Sequence, residues 1–268
     1  MRKSILIILI ALTLTGCFNQ STTINEKSDV IVGLGRTVEN LDKLDAFIDN
    51  KSGTQRVVHY TIEGDPIFND FKYVDQGIQM RMDTSEDKYG TPRVTTTTCQ
   101  DLVRNETDTR LSYTLTGCEG EQAEIELLQI SFDVEQQDKF EFALKYGVNQ
   151  KNEINSIEKK LVKDLQNGEV VEVSDFQLSA EERQQIYKEM VLSNYLGEKE
   201  LSTECNRKPA VSYDLTVNSN SGNRHYQWTE CENSKDDGKM TVLAKAIIKI
   251  VQAGDIYKQL PEVKGYYQ

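Results

Sequence analysis

The segment FEFALKY at residues 140–146 places a large apolar residue at every second position. Side chains two positions apart share one face of a β-strand, so this segment predicts a strand with one buried and one solvated face. Segments of the same period, or rich in β-branched residues, lie on both sides of it, at residues 58–62, 78–82, 94–98, 111–115, 128–134 and 211–217. So many strand segments predict antiparallel sheets.

Helical patterns lie between and after these strands. Apolar residues recur every three or four positions in residues 37–50 and 154–165, and each of these segments predicts a helix. Ser179 and Glu182 match a capping box, which predicts a helix that begins after Ser179. Residues 239–252 predict a last helix that ends at Gly254. We therefore expect an α+β fold of antiparallel sheets with packed helices, in two domains that each hold one disulfide.

The first seventeen residues predict the location of the protein. Arg2 and Lys3 precede an apolar run from Ile5 to Leu14, which is too short to span a bilayer and is typical of a signal peptide. The run ends in LTGC at residues 14–17, which resembles a bacterial lipobox. This resemblance implies cleavage before Cys17 and attachment of lipid to it, whereas an ordinary secretory signal with a chance cysteine is the alternative.

The predicted organisation has four parts. Residues 1–16 are a lipoprotein signal peptide, and residues 17–28 are a lipidated polar tether. Residues 29–147 are a domain of one helix and an antiparallel sheet, and residues 148–268 are an α+β domain with a β-hairpin and a C-terminal helix. The polar residues 149–152 mark the boundary between the two domains.

Four cysteines remain after Cys17, and an extracytoplasmic compartment permits disulfides. We expect Cys99 to pair with Cys118, and Cys205 with Cys231, because each pair falls within one half of the chain. Other connectivities and free buried thiols are the alternatives. The sequence has no C-x-x-C motif, which disfavours a zinc knuckle and a thioredoxin-type redox pair.

The chain of 268 residues has 31 Lys and Arg against 43 Asp and Glu, a formal net charge of −12. This excess of negative charge disfavours nucleic acid as a partner and electrostatic attachment to anionic lipid. We therefore expect the membrane to be reached through the lipid on Cys17. We also expect the charge to hold the folded part off an anionic membrane surface.

Four carboxylates form the most distinctive cluster in the sequence. Glu63 and Asp65 flank Gly64, and Asp83 and Asp87 follow within one predicted strand and loop. One interpretation is a binding site for a hard cation, or an acid/base pair. The other is a turn in which Gly64 takes a positive φ and Asp65 accepts hydrogen bonds from local amides. We favour the turn, and keep the four carboxylates as candidate binding residues.

A longer pattern includes the same cluster. The stretch YTIEGDPIF at residues 60–68 is followed by Asp83, Asp87, Tyr89, Gly90, Cys99 and Cys118. This pattern, over roughly residues 29–120, resembles an uncharacterised domain family of Gram-positive, Bacillus-type lipoproteins. The resemblance implies an address in the cell envelope, and it supplies no catalytic residues.

The expected function is that of a non-enzymatic binding or interaction protein of the envelope. Its partner would be a small molecule or another envelope protein, bound in the cleft between the two domains. The sequence predicts no catalytic residue, metal site or cofactor, because His59 and His225 lie in different halves and no nucleophile motif is present. The alternative is a cell-envelope hydrolase that uses Glu63 and Asp65.

Overall fold

A computed structural model describes residues 22–34, 37–220, 222–231 and 233–267. The predicted signal peptide and Cys17 lie outside the described residues. In the described ranges the chain forms two six-stranded sheets, one three-stranded sheet and a few helices. The predicted α+β fold is confirmed, as are the two disulfides, Cys99–Cys118 and Cys205–Cys231, which lie in separate halves of the chain.

The first six-stranded sheet occupies the N-terminal part of the chain. Its strands are β1 (Val30–Val32), β2 (Val38–Glu39), β3 (Thr54–Tyr60), β4 (Pro66–Val74), β5 (Gly77–Asp83) and β6 (Val94–Cys99). They lie in the order β2-β1-β3-β4-β5-β6, and β1 runs parallel to β3 whereas the other pairs are antiparallel. Helix α1 (Leu41–Asn50) packs on one face, where the rings of Phe47 and Phe71 lie 6.5 Å apart.

A three-stranded sheet follows, formed by β7 (Asp101–Glu106), β8 (Arg110–Thr116) and β9 (Glu124–Ser131). The disulfide Cys99–Cys118 joins the end of β6 to the turn after β8. Tyr113 on β8 is fully buried, and its hydroxyl donates a hydrogen bond of 2.6 Å to Asp45 of α1. The small sheet is thereby fixed against the helix of the first sheet.

The second six-stranded sheet contains the segment at residues 140–146. Its strands are β10 (Phe140–Val148), β11 (Asn152–Asn155), β12 (Lys160–Asp164), β13 (Val170–Ser174), β14 (Val211–Ser219) and β15 (Gly222–Thr229). They lie in the order β13-β12-β11-β10-β14-β15, and all pairs are antiparallel. The alternation in β10 is confirmed, since Phe140, Phe142, Leu144 and Tyr146 are all buried.

Three helices complete the second half: α2 (Ala180–Leu192), α3 (Lys235–Ala253) and α4 (Asp255–Lys258). The predicted capping box at Ser179 and Glu182 is confirmed. Trp228 of β15 stacks on Tyr213 of β14 with ring centroids 4.9 Å apart, and its indole nitrogen donates to Thr241 of α3. The apolar face of the sheet is thereby covered by α3.

The helix predicted for residues 154–165 is wrong. This segment forms β11 and β12, joined by a tight hairpin in which Lys159 has a φ of 53°. Ile154 and Leu161 are buried directly opposite each other on the two strands. Their separation of seven residues equals two helical turns, but a short hairpin produces the same spacing across its two strands.

The boundary predicted at residue 148 assigns β10 to the first half, whereas its pairing places it in the second. β10 pairs with β14 along its whole length, from Phe140 to Val148, and with β11 on its other side. The apolar core is also continuous, and runs from Val30 through Phe132 to Val251. The division into two domains therefore stays a proposal.

Part of the predicted tether contacts the first sheet. The side-chain amide of Asn40 donates hydrogen bonds of 2.8 Å to the carbonyls of Glu26 and Asp29. Arg56 reaches the carbonyl of Thr23 at 3.5 Å. Polar composition predicted a free segment, but these carbonyls pair with side chains of the first sheet.

Candidate functional site

A cavity of about 110 Å³ lies between the two halves of the chain. The C-terminal end of α2 forms one wall, the link between β9 and β10 forms another, and Thr37 contributes from the N-terminal half. Its polar side chains include Asp133, Gln137, Tyr187 and Asn194. The cavity lies in the region where the sequence predicts a binding cleft, between the halves.

Asn194 is directed into the cavity by the way α2 ends. It adopts a left-handed conformation with a φ of 51°, which asparagine tolerates better than most residues. Its amide donates to the carbonyl of Val191, and the amide of Tyr195 donates to the carbonyl of Met190. This is a Schellman motif with asparagine at the left-handed position. The motif ends the helix and leaves the Asn194 side chain in the cavity lining.

Gln137 is positioned by a short 3-10 helix, Val134–Gln136, whose first turn is capped by Asp133. Gln184 of α2 holds this turn in place. Its amide nitrogen donates hydrogen bonds of 2.8 Å to the carbonyls of Phe132 and Asp108, and its oxygen accepts from Val134. The two walls of the cavity are therefore tied together, which gives the cavity a preformed shape.

Two acceptors of the cavity have no partner. The side-chain oxygens of Gln137 and Asn194 are both buried and have no hydrogen-bond partner among the described residues. A buried acceptor without a donor costs about 1–3 kcal/mol, so native proteins leave few of them. Both residues line one small polar cavity, so a rotation of either side chain would offer its oxygen to a guest that donates hydrogen bonds.

The electrostatics of the cavity also favour such a guest. Burial is the main cause that raises the pKa of Tyr187 to about 12, and it raises the pKa of Tyr195 as well. Both phenols are therefore neutral at pH 7. The lining contains the carboxylate of Asp133 and no Lys, Arg or His among the described residues. A neutral or positively charged donor would fit this lining better than an anion.

The structure brings the predicted carboxylates onto neighbouring elements but gives Asp65, Asp83 and Asp87 separate partners. Asp65 accepts from the backbone amide of Lys88 at 3.0 Å and from its ammonium at 3.2 Å. These bonds are the main cause that lowers the pKa of Asp65. Asp87 accepts from the amides of Tyr89 and Gly90 within its own loop. Both carboxylates therefore organise loops.

The other two carboxylates differ from each other. Glu63 is exposed. Asp83 is buried and accepts from Arg81 at 2.7 Å and from the amide of Ser85 at 2.9 Å. Burial would raise the pKa of Asp83, but hydrogen bonds from Ser85 and Arg81 outweigh it and lower that pKa. Among the described residues no group of three or more His, Cys, Asp or Glu side chains could hold a metal ion.

The predicted turn at Gly64 is present. Gly64 has a φ of 90°, and its amide donates to the carbonyl of Thr61 in the connection between β3 and β4. Asp65 does not bond local amides as predicted, since its partner Lys88 is 23 residues away. Pro66 opens β4 and so stands at the first position of a strand, where a missing amide is tolerated.

The structure contains a buried ion network that the sequence pattern did not predict. Arg56 donates to both oxygens of Asp70, at 2.6 and 3.1 Å, and Arg81 lies 3.4 Å from Asp70 and 2.7 Å from Asp83. Arg56, Asp70 and Arg81 stand opposite one another on β3, β4 and β5. Each charge is paired, so the network is complete in itself and offers no open site.

The two histidines lie away from the cavity. Burial lowers the pKa of His59, whose ring is 3.1 Å from the side-chain amide of Asn69. His225 is on the solvated face of the second sheet, 3.0 Å from Asp214. Neither ring lines the cavity with Gln137 and Asn194.

Two family models match the chain. Residues 27–114 match a domain of unknown function, DUF4362, and residues 1–17 match the prokaryotic membrane lipoprotein lipid attachment site. No curated protein and no solved structure matches. The first match covers the first six-stranded sheet and extends into β8, so of the cavity residues named above it includes Thr37 alone. In the part of the chain that the structure describes, no helix is long and apolar enough to cross a membrane.

The second match suggests a lipid-anchored protein of the cell envelope. The predicted membrane anchoring is thereby supported, and the domain match supplies no biochemical role.

Proposed function

We propose that this protein is anchored through lipid on Cys17 to the extracytoplasmic face of the cell membrane. There it binds a small hydrogen-bond-donating molecule between its two halves and catalyses no reaction. The lipid attachment site at residues 1–17 supports the anchor. Two disulfides, one in each half, suit an oxidising compartment outside the cytoplasm.

The unpaired oxygens of Gln137 and Asn194 carry the proposal for the cavity. Each is an amide acceptor, and together with Asp133 they would accept hydrogen bonds from an amine, an ammonium group or a hydroxyl. The volume of about 110 Å³ is several times that of a water molecule and suits a compact polar group.

Binding of small probes would test the cavity. Ethanolamine offers both an ammonium and a hydroxyl donor, whereas acetate offers acceptors of negative charge. We expect saturation-transfer NMR to detect ethanolamine on the protein and to detect no acetate. The Gln137→Met variant removes one acceptor at similar length, and we expect it to weaken ethanolamine binding by roughly three- to tenfold.

Gln185→Met is the matched control. Gln185 is on α2, whose C-terminal end forms one wall of the cavity, but its side chain is exposed and lies outside the cavity. This variant should bind ethanolamine as the parent chain does. Equal binding of acetate and ethanolamine, or equal binding by both variants, would contradict the proposed acceptor site.

The hydrolase alternative receives no support of this kind. Asp65 is already paired with Lys88, whereas Glu63 is exposed, so their environments do not describe an acid/base pair acting on one substrate.

A further inference from the structure

One end of the first six-stranded sheet carries a set of exposed apolar side chains. They are Leu34, Ile62, Tyr89 and Val94, which are 60%, 88%, 77% and 52% exposed. We call this set the apolar edge. Large apolar side chains that cluster at a surface are typical of an interaction site, whereas single ones are ordinary.

The strand pairing places these residues at the same end of the sheet. β1 is parallel to β3, with Val32 opposite His59. Leu34 follows the C-terminal end of β1 and Ile62 follows the C-terminal end of β3, so both lie at the same end of the sheet. Asp83 at the end of β5 lies opposite Val94 at the start of β6. The loop that bears Tyr89 joins these two strands and projects from the same end.

The loops of the apolar edge are held in one arrangement. Asp65 of the β3–β4 turn binds both nitrogens of Lys88 in the β5–β6 loop, which links the two projections. Within the longer loop, Asp87 accepts from the amides of Tyr89 and Gly90, and Thr84 bonds the carbonyl of Thr91. Because these loops are already ordered, little backbone conformational entropy is lost when their exposed side chains bind.

The short tether limits what can lie against this edge. Residues 18–22 alone separate Cys17 from Thr23, whose carbonyl is bonded to Arg56. The six steps from Cys17 to Thr23 span at most about 20–22 Å. Ile62 is six residues beyond Arg56 along the same strand direction, a distance of about 20 Å. A lipid on Cys17 therefore places the bilayer surface within reach of the apolar edge.

On the basis of the proposed lipid anchor at Cys17, we infer that the apolar edge rests on the surface of the bilayer that holds this anchor. This contact replaces the expectation that the net charge holds the folded part off that surface. Aliphatic side chains and a tyrosine ring are suited to the interfacial layer of a membrane. A weak contact is sufficient, because the anchor makes it an intramolecular event. Glu63, Glu86 and Asp87 outnumber the cations Lys88 and Arg93 in the same loops, so the contact is apolar in character and does not depend on anionic lipid.

Quenching by brominated lipid tests this inference in the full-length lipidated protein. Tyr89→Trp places a fluorophore on the edge, while the native Trp228 is 1% exposed and supplies a constant background. In phosphatidylcholine vesicles with brominated acyl chains, we expect the added emission to fall by roughly half relative to unbrominated vesicles. Partial replacement by phosphatidylglycerol should not increase the quenching.

Val242→Trp is the matched control, since Val242 is 68% exposed but lies on α3 in the other half. Its added emission should not be quenched. The double variant Tyr89→Trp with Ile62→Asp should lose most of the quenching, because a charge at the edge opposes insertion. Equal quenching at positions 89 and 242, or none at position 89, would overturn the inference.

Discussion

The two six-stranded sheets are equal in strand number but differ in how their faces are covered. In the second sheet one face packs under helices, and the other face, with Lys145, Asp214 and His225, is polar. In the first sheet α1 covers one face, while the other holds Arg56 and Asp70 in a buried ion pair. The face that is not covered by helices is thus polar in the second sheet, whereas in the first sheet it holds buried, paired charges.

The difference explains why some strands were easier to predict than others. A sheet with one solvated face alternates cleanly, as β10 and β14 do. A strand covered on both faces does not, and β4 contains four consecutive buried residues, Phe68 to Phe71. That strand was absent from the sequence predictions because Asn69 and Asp70 interrupt its apolar pattern.

The largest effect is expected in the apolar layer of the second sheet. Trp228→Ala removes the ring that stacks on Tyr213 and bonds Thr241, and should lower the free energy of unfolding by about 3–5 kcal/mol. Denaturant unfolding followed by far-UV circular dichroism would measure the loss. A single shifted transition would show that the halves unfold together, whereas two transitions would support separate domains.

A somewhat smaller effect is expected in the charged face of the first sheet. Asp70→Asn leaves Arg56 and Arg81 buried without their shared carboxylate, and should cost about 3 kcal/mol of stability. The same unfolding assay applies, with the exposed Asp108→Asn as a control that should change stability by less than about 0.5 kcal/mol. Equal effects at both positions would show that the network is unimportant.

The helices that cover the two sheets differ in their first turns. α2 begins with a capping box at Ser179, whereas α1 begins at Asn40 without a side-chain cap. Ser179→Ala should therefore destabilise the second half by about 1 kcal/mol. Ser193→Ala, at the other end of α2, is the control and should have less effect in thermal unfolding. A smaller loss at Ser179 than at Ser193 would refute the role of the cap.

The smallest expected effect is on how the free energy of unfolding of the first half varies with pH. Burial lowers the pKa of His59 in the folded chain, so the unfolded chain binds more protons below its ordinary pKa of about 6.5. The stability contributed by neutral His59 is complete above that pH and declines as the pH falls from about 6.5 toward the lowered folded pKa. His59→Gln should flatten this decline in urea unfolding measured across pH 5–8.

His225→Gln is the control for the second half, because His225 is largely exposed beside Asp214. The effect of His59→Gln is read relative to this variant, which makes the same substitution at an exposed strand position. A decline that persists in the His59 variant would exclude His59 as its source.

The candidate site was predictable in location only. A cleft between the halves was expected, and the cavity lies there, but Gln137 carried no signal in the sequence. The four candidate carboxylates were conspicuous, yet Asp65, Asp83 and Asp87 pair within the chain. Asn194 carried one sign, because it follows the helix that begins after Ser179 and asparagine tolerates the left-handed conformation that ends a helix.

The sequence by itself determined the strand alternation, the capping box at Ser179, the lipid attachment motif and the cysteines that pair within each half. These features depend on neighbouring residues or on covalent order. Only the tertiary structure decided which buried polar atoms have partners. It completed the network around Asp70 and left the oxygens of Gln137 and Asn194 unpaired. Hydrogen-bond satisfaction depends on residues brought together from distant parts of the chain, which periodicity does not describe.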